Sequence, residues 1–300
     1  MIVVLRSLLL RWCARGFGRA GAARALPVAL ATLATCTGCS TVPTPLHPGA
    51  RGSVGYPHNG VLTHAVELPE RGPGYAWHRK WGRHFGTPAM IAFLEQATRE
   101  AGGQPESFPF LVGDIAQKSG GKASGHHSHR TGRDVDVLFA YTTPGGAAAE
   151  APGFVKVHAD GLAYVPGARG STFVRFDVAR NWSFVKAMVQ SPHAQVQWIF
   201  VYRAVESLLI EYARAKGEPN ELVWRAETVM HEPGDSLPHD DHFHVRIACT
   251  DDDLGCLGGG PRWPWLPAAK GPNTAEIVAL LREGDVENEH ATGASDKPGR

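Results

Sequence analysis

Four apolar-rich segments of the chain predict β-strands, and two of them, 134–139 and 242–247, alternate polar with apolar residues at a period of two. The predicted strands are 110–115, 134–139, 196–201 and 242–247. Two further segments, 89–101 and 203–215, repeat apolar residues every three to four positions and predict helices. Thr87-Pro88 precedes the first helix as an N-cap and a first-turn proline, and glycines follow the end of both helices.

Helix and strand signals alternate along the chain without the regular βαβ rhythm of a parallel sheet. We therefore expect an α+β fold with a central, mainly antiparallel sheet and flanking helices. A single main domain is predicted over residues 56–269. The hydrophobic fraction of 43% and the charged fraction of 20% are typical of a globular protein with a sizeable core.

The charge balance argues against a polyanion as partner. The 30 lysines and arginines nearly equal the 29 aspartates and glutamates, so no nucleic-acid-binding role is expected. The unusual feature is the 15 histidines, because histidine is the commonest zinc ligand.

The N-terminal 38 residues have the pattern of a bacterial export signal. Five arginines precede a short apolar run at 25–35, which is too short to span a bilayer as a helix. The run ends in Cys36-Thr37-Gly38-Cys39, which resembles the lipobox of bacterial lipoproteins, although Cys36 stands where leucine is usual. Cys39 is then the lipidated first residue of the mature protein. The alternative is ordinary cleavage, which gives a soluble periplasmic protein.

Composition also predicts what flanks the main domain. Residues 39–55 are rich in Pro, Thr and Gly and are expected to form a flexible tether. In 270–300 we expect a short helix followed by a disordered tail. If Cys39 carries lipid, the tether is the protein's only attachment to a membrane, and Ser40 after it favours the outer membrane by resemblance to lipoprotein sorting signals.

Two cysteines remain in the main domain. Cys249 and Cys256 are separated by six residues and suit a disulfide in an oxidising compartment. The spacing would also suit half of a zinc site, but the chain has no second cysteine pair to complete one.

The strand predicted at 134–139 follows a loop rich in histidine and glycine. On a strand, Asp134 and Asp136 share one face, and Val135 and Val137 share the other. The valines belong in the core, so the aspartates should face a cleft or solvent. His129, in the loop, lies seven positions before Asp136.

The strand predicted at 242–247 repeats this arrangement. Here His242 and His244 alternate with Phe243 and Val245, so both histidines project from one face. One histidine from the loop, one aspartate and one histidine from this strand would leave a fourth tetrahedral position for water, which is the composition of a catalytic zinc site. Solvated polar strand faces are the simpler interpretation of either segment alone; two such segments favour the metal.

These segments resemble a known family. His129-x6-Asp136 followed by His242-Phe243-His244 is similar to the paired signature of zinc peptidases related to lysostaphin, D-alanyl-D-alanine carboxypeptidases and the hedgehog domain. The flanking residues in 125–136 and 239–246 most resemble penicillin-insensitive murein endopeptidases.

The resemblance implies a role for each histidine of the site. His129, Asp136 and His244 would bind one zinc ion per domain. His242 would act as general base on the zinc-bound water, and His239 would polarise the peptide carbonyl or stabilise the tetrahedral intermediate.

Three further residues are expected around these. The resemblance places His126 near the metal without making it a primary ligand. Asp134 and Asp240 are candidates to accept the free N–H of a ligand histidine, and Asp240 is equally well interpreted as a solvated carboxylate.

The implied substrate is the D-alanyl–meso-diaminopimelate cross-link between the stem peptides of peptidoglycan, and the implied compartment is the periplasm. Two alternatives stay open at this point. One is a D,D- or L,D-carboxypeptidase of the same superfamily, and the other is a non-catalytic, zinc-containing binding module of the envelope.

Overall fold

The computed structural model describes residues 46, 49–81, 83–102, 107–167, 172–258, 261 and 263–265. The predicted export signal, Cys39, most of the predicted tether and the segment 270–300 lie outside these residues. No helix in the described part of the chain is long and apolar enough to cross a membrane.

Fifteen strands and four helices make up the described fold. The strands are β1 (Ser53–Tyr56), β2 (Asn59–Leu62), β3 (Val66–Glu67), β4 (Arg71–Gly72), β5 (Tyr75–Trp77), β6 (Phe85–Gly86), β7 (Phe110–Val112), β8 (Asp134–Leu138), β9 (Tyr141–Thr142), β10 (Ala148–Ala149), β11 (Leu162–Val165), β12 (Thr172–Phe176), β13 (Val196–Phe200), β14 (Met230–His231) and β15 (His242–Ile247). The helices are α1 (Pro88–Ala101), α2 (Val178–Val189), α3 (Arg203–Ala215) and α4 (Asn220–Val229).

The main sheet has seven strands in the order β14-β13-β15-β8-β7-β5-β4. Four of its six pairings are antiparallel, and only β13–β14 and β5–β7 are parallel. A separate four-stranded sheet, β10-β9-β12-β11, is antiparallel throughout. The prediction of an α+β fold with a mainly antiparallel central sheet is therefore confirmed.

The apolar side chains of the two central strands pack against α2. Phe184 of α2 stacks on Phe110 of β7 at 4.7 Å and approaches Phe243 of β15 at 6.0 Å between ring centroids. Val135 of β8 and Val245 of β15 are fully buried in the same core. The core thus occupies one face of the sheet and leaves the aspartates and histidines of β8 and β15 on the other.

The predicted helix boundaries follow from local capping. The Thr87 hydroxyl accepts the N–H of Met90 at 3.2 Å, which caps the start of α1 as expected. The helix ends where the Gly102 N–H is bonded to the Thr98 carbonyl. α3 has the predicted bounds, and the left-handed φ of Gly217 (69°) follows its end.

The fold begins earlier than residue 56, so the predicted tether is too long at its C-terminal end. Strand β1 pairs with β2, and its residues Ser53 and Val54 are buried. The Gly55 N–H also bonds to the Gly255 carbonyl, beside the disulfide between Cys249 and Cys256. The predicted disulfide is confirmed, and the loop that it closes packs against this first strand.

Candidate metal centre

The centre is built on the pairing of β8 with β15. In this antiparallel register Asp136 lies directly opposite His244, and Asp134 lies opposite Arg246. Directly opposed residues project from the same face of a sheet, so the pairing alone brings a carboxylate and an imidazole together. Asp134 and Asp136 are nearly inaccessible to solvent, and Asp136 lines the floor of a cleft rather than an exposed face.

The loop before β8 adds His129 in a left-handed backbone conformation, with φ of 61°. This region is unfavourable for a non-glycine residue and persists where the surroundings impose it. The ring is fully buried, and its Nδ1–H donates to the Ile115 carbonyl at 2.8 Å. Gly132, at φ 72°, closes the loop, and a side chain there would press against the Thr87 backbone. The loop thus aims Nε2 of His129 at Asp136.

Three imidazole nitrogens surround one oxygen of Asp136. Oδ1 lies 3.2 Å from His129 Nε2, 3.4 Å from His244 Nδ1 and 3.4 Å from His242 Nε2. Zinc–nitrogen and zinc–oxygen bonds of 2.0–2.1 Å in a tetrahedron place neighbouring ligand atoms about 3.3 Å apart. The donor atoms of this centre are therefore spaced as the ligands of one small metal ion would be.

Unsatisfied polar atoms support the same fit. His129 Nε2 and Asp136 Oδ1 are buried, and neither makes a hydrogen bond of acceptable geometry within the described residues. Nearly all buried polar atoms in folded proteins have a hydrogen-bond partner. Two adjacent buried atoms without one, each able to bind a metal, are consistent with an ion-binding site.

The charge of Asp136 fits the same interpretation. Burial raises the pKa of Asp136, but attraction to His129 and His242 outweighs this and holds the pKa well below its usual value. Asp136 is therefore an anion at neutral pH.

The outer nitrogens of the two buried histidines are fixed by acceptors. His244 donates its Nε2–H to Asp134 Oδ1 at 3.0 Å, as His129 donates to Ile115. Arg246 Nε also donates to Asp134, at 2.6 Å. Burial raises the pKa of Asp134, but Arg246 and His244 hold it far below its usual value. These bonds turn His129 Nε2 and His244 Nδ1 towards the centre, the arrangement typical of metal-ligating histidines.

His242 faces the same oxygen from the cleft side. Its Nδ1–H donates to Asp241 Oδ1 at 2.5 Å, and its side chain is 16% exposed. Burial lowers the pKa of His242, but Asp136 and Asp241 outweigh it and raise the value to about 10. A divalent cation bound beside Asp136 would offset that carboxylate's charge and so lower the pKa of His242.

His239 lies against both strand histidines, with ring centroids 5.1 Å from His242 and 5.3 Å from His244. Burial, and then repulsion by His244 and His242, lowers its pKa to about 3. The imidazole is therefore neutral at physiological pH. Its Nδ1 is buried without a hydrogen-bond partner among the described residues.

His126 approaches the centre from the histidine-rich loop. Its Nδ1 is 3.8 Å from Asp136 Oδ2, and its Nε2–H donates to Asp114 Oδ2 at 3.0 Å. Arg83 donates to the same Asp114 oxygen at 3.2 Å. Burial raises the pKa of Asp114, but His126 and Arg83 lower it more.

Around this centre, two neighbouring groups of three residues each have their metal-binding atoms within 4.8 Å of one another, close enough to hold a metal ion. One consists of His126, His129 and Asp136, and the other of His239, His242 and His244.

The structure changes the expected role of Asp240. Its carboxylate pairs with Lys156 Nζ at 2.7 Å, and its carbonyl accepts the Val157 N–H. The partner of His242 is instead Asp241, which sequence reasoning missed, as it missed Asp114 as the partner of His126. Both are carboxylates within a few positions of a predicted site residue or strand end, and only the side-chain directions identify them.

The centre opens into a cleft of about 1400 Å³. Its other walls carry aromatic and cationic residues, among them Arg79, Phe154, Lys156, Trp198 and Phe200. Phe154 contacts the His242 ring edge-on at 5.3 Å. The cleft thus presents the histidines on its floor, bordered by aromatic and cationic side chains.

Comparison with known proteins agrees with this geometry. The family model described as penicillin-insensitive murein endopeptidase matches residues 53–262. A Haemophilus influenzae protein of that name is 30% identical over 233 residues, which cover 76% of this chain and 73% of the relative. A Salmonella typhimurium protein of the same name is 29% identical over 214 residues, 70% of each chain.

Proposed function

This chain belongs to the penicillin-insensitive murein endopeptidases, a family of metallopeptidases, and from that premise we propose that it is a zinc enzyme that hydrolyses D-alanyl–meso-diaminopimelate cross-links in peptidoglycan. The observation that carries the proposal is the approach of His129 Nε2 (3.2 Å) and His244 Nδ1 (3.4 Å) to Asp136 Oδ1, with the other nitrogen of each histidine held by a buried acceptor.

The donor set favours zinc among the common metals. Two imidazoles and one carboxylate at tetrahedral spacing suit Zn²⁺, whereas Mg²⁺ and Ca²⁺ prefer six or more oxygen ligands. His129, Asp136 and His244 would hold the ion. When bound, zinc polarises the scissile carbonyl and acidifies a water molecule to a pKa of about 7.

His242 is assigned as the general base. Asp241 accepts its Nδ1–H, so Nε2 is the nitrogen that faces the position where water would be activated, and a cation beside Asp136 would leave Nε2 free of a proton. His242 takes the proton from that water and later delivers it to the amine of the leaving diaminopimelate residue. Its place beside the cleft leaves a path for both transfers.

His239 is assigned to the developing oxyanion. A neutral imidazole can donate one N–H, and burial together with His244 and His242 keeps the pKa of His239 low, at about 3. Among the described residues, no hydrogen bond engages Nδ1 of this ring.

This chemistry requires no acyl-enzyme. Water attacks the carbonyl directly, so a β-lactam that acylates a serine nucleophile has no target in the mechanism.

Export and anchoring are a further part of the proposal. A peptidoglycan substrate places the enzyme in the envelope, and the basic and apolar N-terminal segment ending in Cys39 supports a lipoprotein in the periplasm, attached to the outer membrane. Fractionation of cells that express wild type or Cys39→Ser tests this. Wild type should sediment with membranes and the variant should be soluble; two soluble proteins would refute the anchor.

The direct test of function is digestion of purified sacculi by the mature protein. We expect cross-linked muropeptides to be converted to monomers, with no activity after chelation and recovery on addition of Zn²⁺. His129→Ala serves as the inactive control. Release of free D-alanine without loss of cross-links would identify a carboxypeptidase instead, and zinc binding without any cleavage would identify a binding module.

A further inference from the structure

A row of five aromatic side chains leads away from the metal centre. We call it the aromatic strip; its members, in order from the centre, are Phe200, Trp198, Trp263, Trp265 and Trp224. Phe200 contacts His244 edge-on at 5.2 Å, and each later ring lies 4.8–5.9 Å from the one before it.

The inner end of the strip belongs to the cleft. Strand β13 pairs with β15 so that Phe200 opposes His244 and Trp198 opposes Arg246. Opposed residues share a face, so both aromatics point to the cleft side of the sheet, away from the buried Ile199 between them. Both also line the cleft itself.

At the outer end of the strip Trp224 is exposed, Trp263 and Trp265 are half-buried against the core, and polar groups border the rings. Trp224 is 49% exposed on α4. The Trp263 indole N–H donates to the Gln197 carbonyl at 2.9 Å, which fixes that ring, and the Arg225 guanidinium lies 5.7 Å from the Trp265 ring. Fixed indole faces bordered by hydrogen-bonding groups suit sugar rings, which have apolar C–H faces and polar rims.

We propose that the aromatic strip binds the glycan strand to which the cleaved stem peptide is attached. This inference rests on the proposed function, because it takes the occupant of the cleft to be a peptidoglycan stem. In that substrate the scissile D-alanine is the fourth residue of its stem, so roughly 14 Å of extended chain lies between the cleaved bond and the sugar. Phe200 and Trp198, reached from His244 by successive centroid steps of 5.2 and 5.9 Å, lie within that distance, and the later rings continue the strip outwards.

Direct binding separates this proposal from the hydrolytic function. The probe is peptide-free glycan strands released from sacculi by an amidase, titrated calorimetrically into the full mature protein. Wild type should bind, and Trp224→Ala and Trp198→Ala should each weaken binding roughly 2- to 10-fold. A matched control is the double variant Tyr164→Ala, Phe173→Ala, which removes an aromatic pair of similar exposure (47% and 48%) outside the cleft lining.

Kinetics give a second readout. The substrates are intact sacculi and a glycan-free cross-linked peptide dimer prepared with the same amidase. The Trp224→Ala variant should lower the ratio of sacculus to dimer hydrolysis by a similar factor, whereas the control variant should leave the ratio unchanged. Failure of wild type to cleave either substrate would refute the proposed function and leave the glycan titration to be judged separately.

Three outcomes would overturn the glycan proposal. One is equal glycan binding, or none, by wild type and both tryptophan variants. Another is glycan binding that arises only after residues 267–300 are deleted, which would assign the strip to a contact within the chain. The third is a dimer that dissociates on Trp224→Ala substitution, which would assign the strip to self-association.

Discussion

The histidines around Asp136 form an inner and an outer pair that are held differently. The inner pair, His129 and His244, donate to a backbone carbonyl and to the fully buried Asp134. The outer pair, His242 and His126, donate to carboxylates nearer the cleft, and their side chains are 16% and 24% exposed.

The difference separates two chemical requirements. A metal ligand must be rigid and deprotonated towards the ion, which a buried acceptor on its other nitrogen provides. A proton-transfer group must exchange protons with substrate and solvent, which requires contact with the cleft. Distance does not distinguish them, since His242 and His244 are both 3.4 Å from Asp136 Oδ1. Burial and hydrogen-bond partners do.

The largest effect is expected when an inner histidine is removed. His244→Ala should abolish metal binding and sacculus hydrolysis together, because two remaining donors hold zinc weakly. Metal analysis of the purified protein should fall from about one equivalent to near zero. The exposed His193 provides a control, since His193→Ala should keep both metal and activity. A His244→Ala protein that retains one equivalent would show that the inner pair is not the ligand pair.

Replacing His242 of the outer pair should lower the rate of hydrolysis without loss of the bound metal. His242→Ala should retain about one equivalent of zinc and lose roughly 10²–10⁴-fold in turnover, the usual contribution of a general base. Metal analysis and muropeptide release, measured on the same preparation, check both parts. Loss of metal from this variant would show that His242 is a metal ligand, and the roles assigned to His242 and His244 would then be reversed.

A smaller effect should follow from the carboxylate behind His242. Asp241→Asn keeps the shape but weakens the bond to Nδ1–H, and activity should fall about 10- to 100-fold with metal retained. The adjacent Asp240→Asn is a matched control. It removes an ion pair with Lys156, which is 60% exposed, and should change the rate less than about fivefold. Equal losses in the two variants would contradict the assignment of Asp241.

This pair of aspartates also marks the limit of what the sequence pattern predicts. Period-two alternation is sufficient for β8 and β15, because valines and phenylalanine on one face leave aspartates and histidines on the other. Asp240 and Asp241 lie just before β15, where no period applies. Which of the two reaches His242 is decided by the local chain path, and Asp240 is drawn instead to Lys156.

The helices show the same division. The sequence pattern predicts α1 and α3 because a proline or a glycine marks their ends and apolar residues recur at helical spacing. It does not predict α2, although Asp177 caps this helix by accepting the Arg180 N–H at 3.1 Å. The interior of α2 includes the buried polar Asn181, which bonds to Ala140 of the chain after β8. A polar residue thus occupies a core-facing position of α2, because it bonds to a distant part of the chain, and it interrupts the apolar periodicity that would predict the helix.

The smallest effect on catalysis is expected from removal of the disulfide, although the disulfide lies close in the chain to His244 of the inner pair. Cys249 follows β15, so its bond to Cys256 ties down the chain just beyond His244. Closing so short a loop should contribute roughly 2 kcal/mol to stability. His244 itself is held by β-pairing to Asp136 and by Asp134. The buried Arg133 also fixes the region, donating to the Ile247 and Leu257 carbonyls at 2.8 and 3.3 Å.

The double variant Cys249→Ser, Cys256→Ser should therefore unfold at lower denaturant concentration while retaining zinc and most of its activity. Denaturant titration alongside metal analysis tests this, with wild type reduced under native conditions as the control. A stable double variant that has lost its metal would mean that the inner histidines depend on the disulfide for their rigidity, and the distinction between inner and outer pairs would then rest on the crosslink rather than on the sheet.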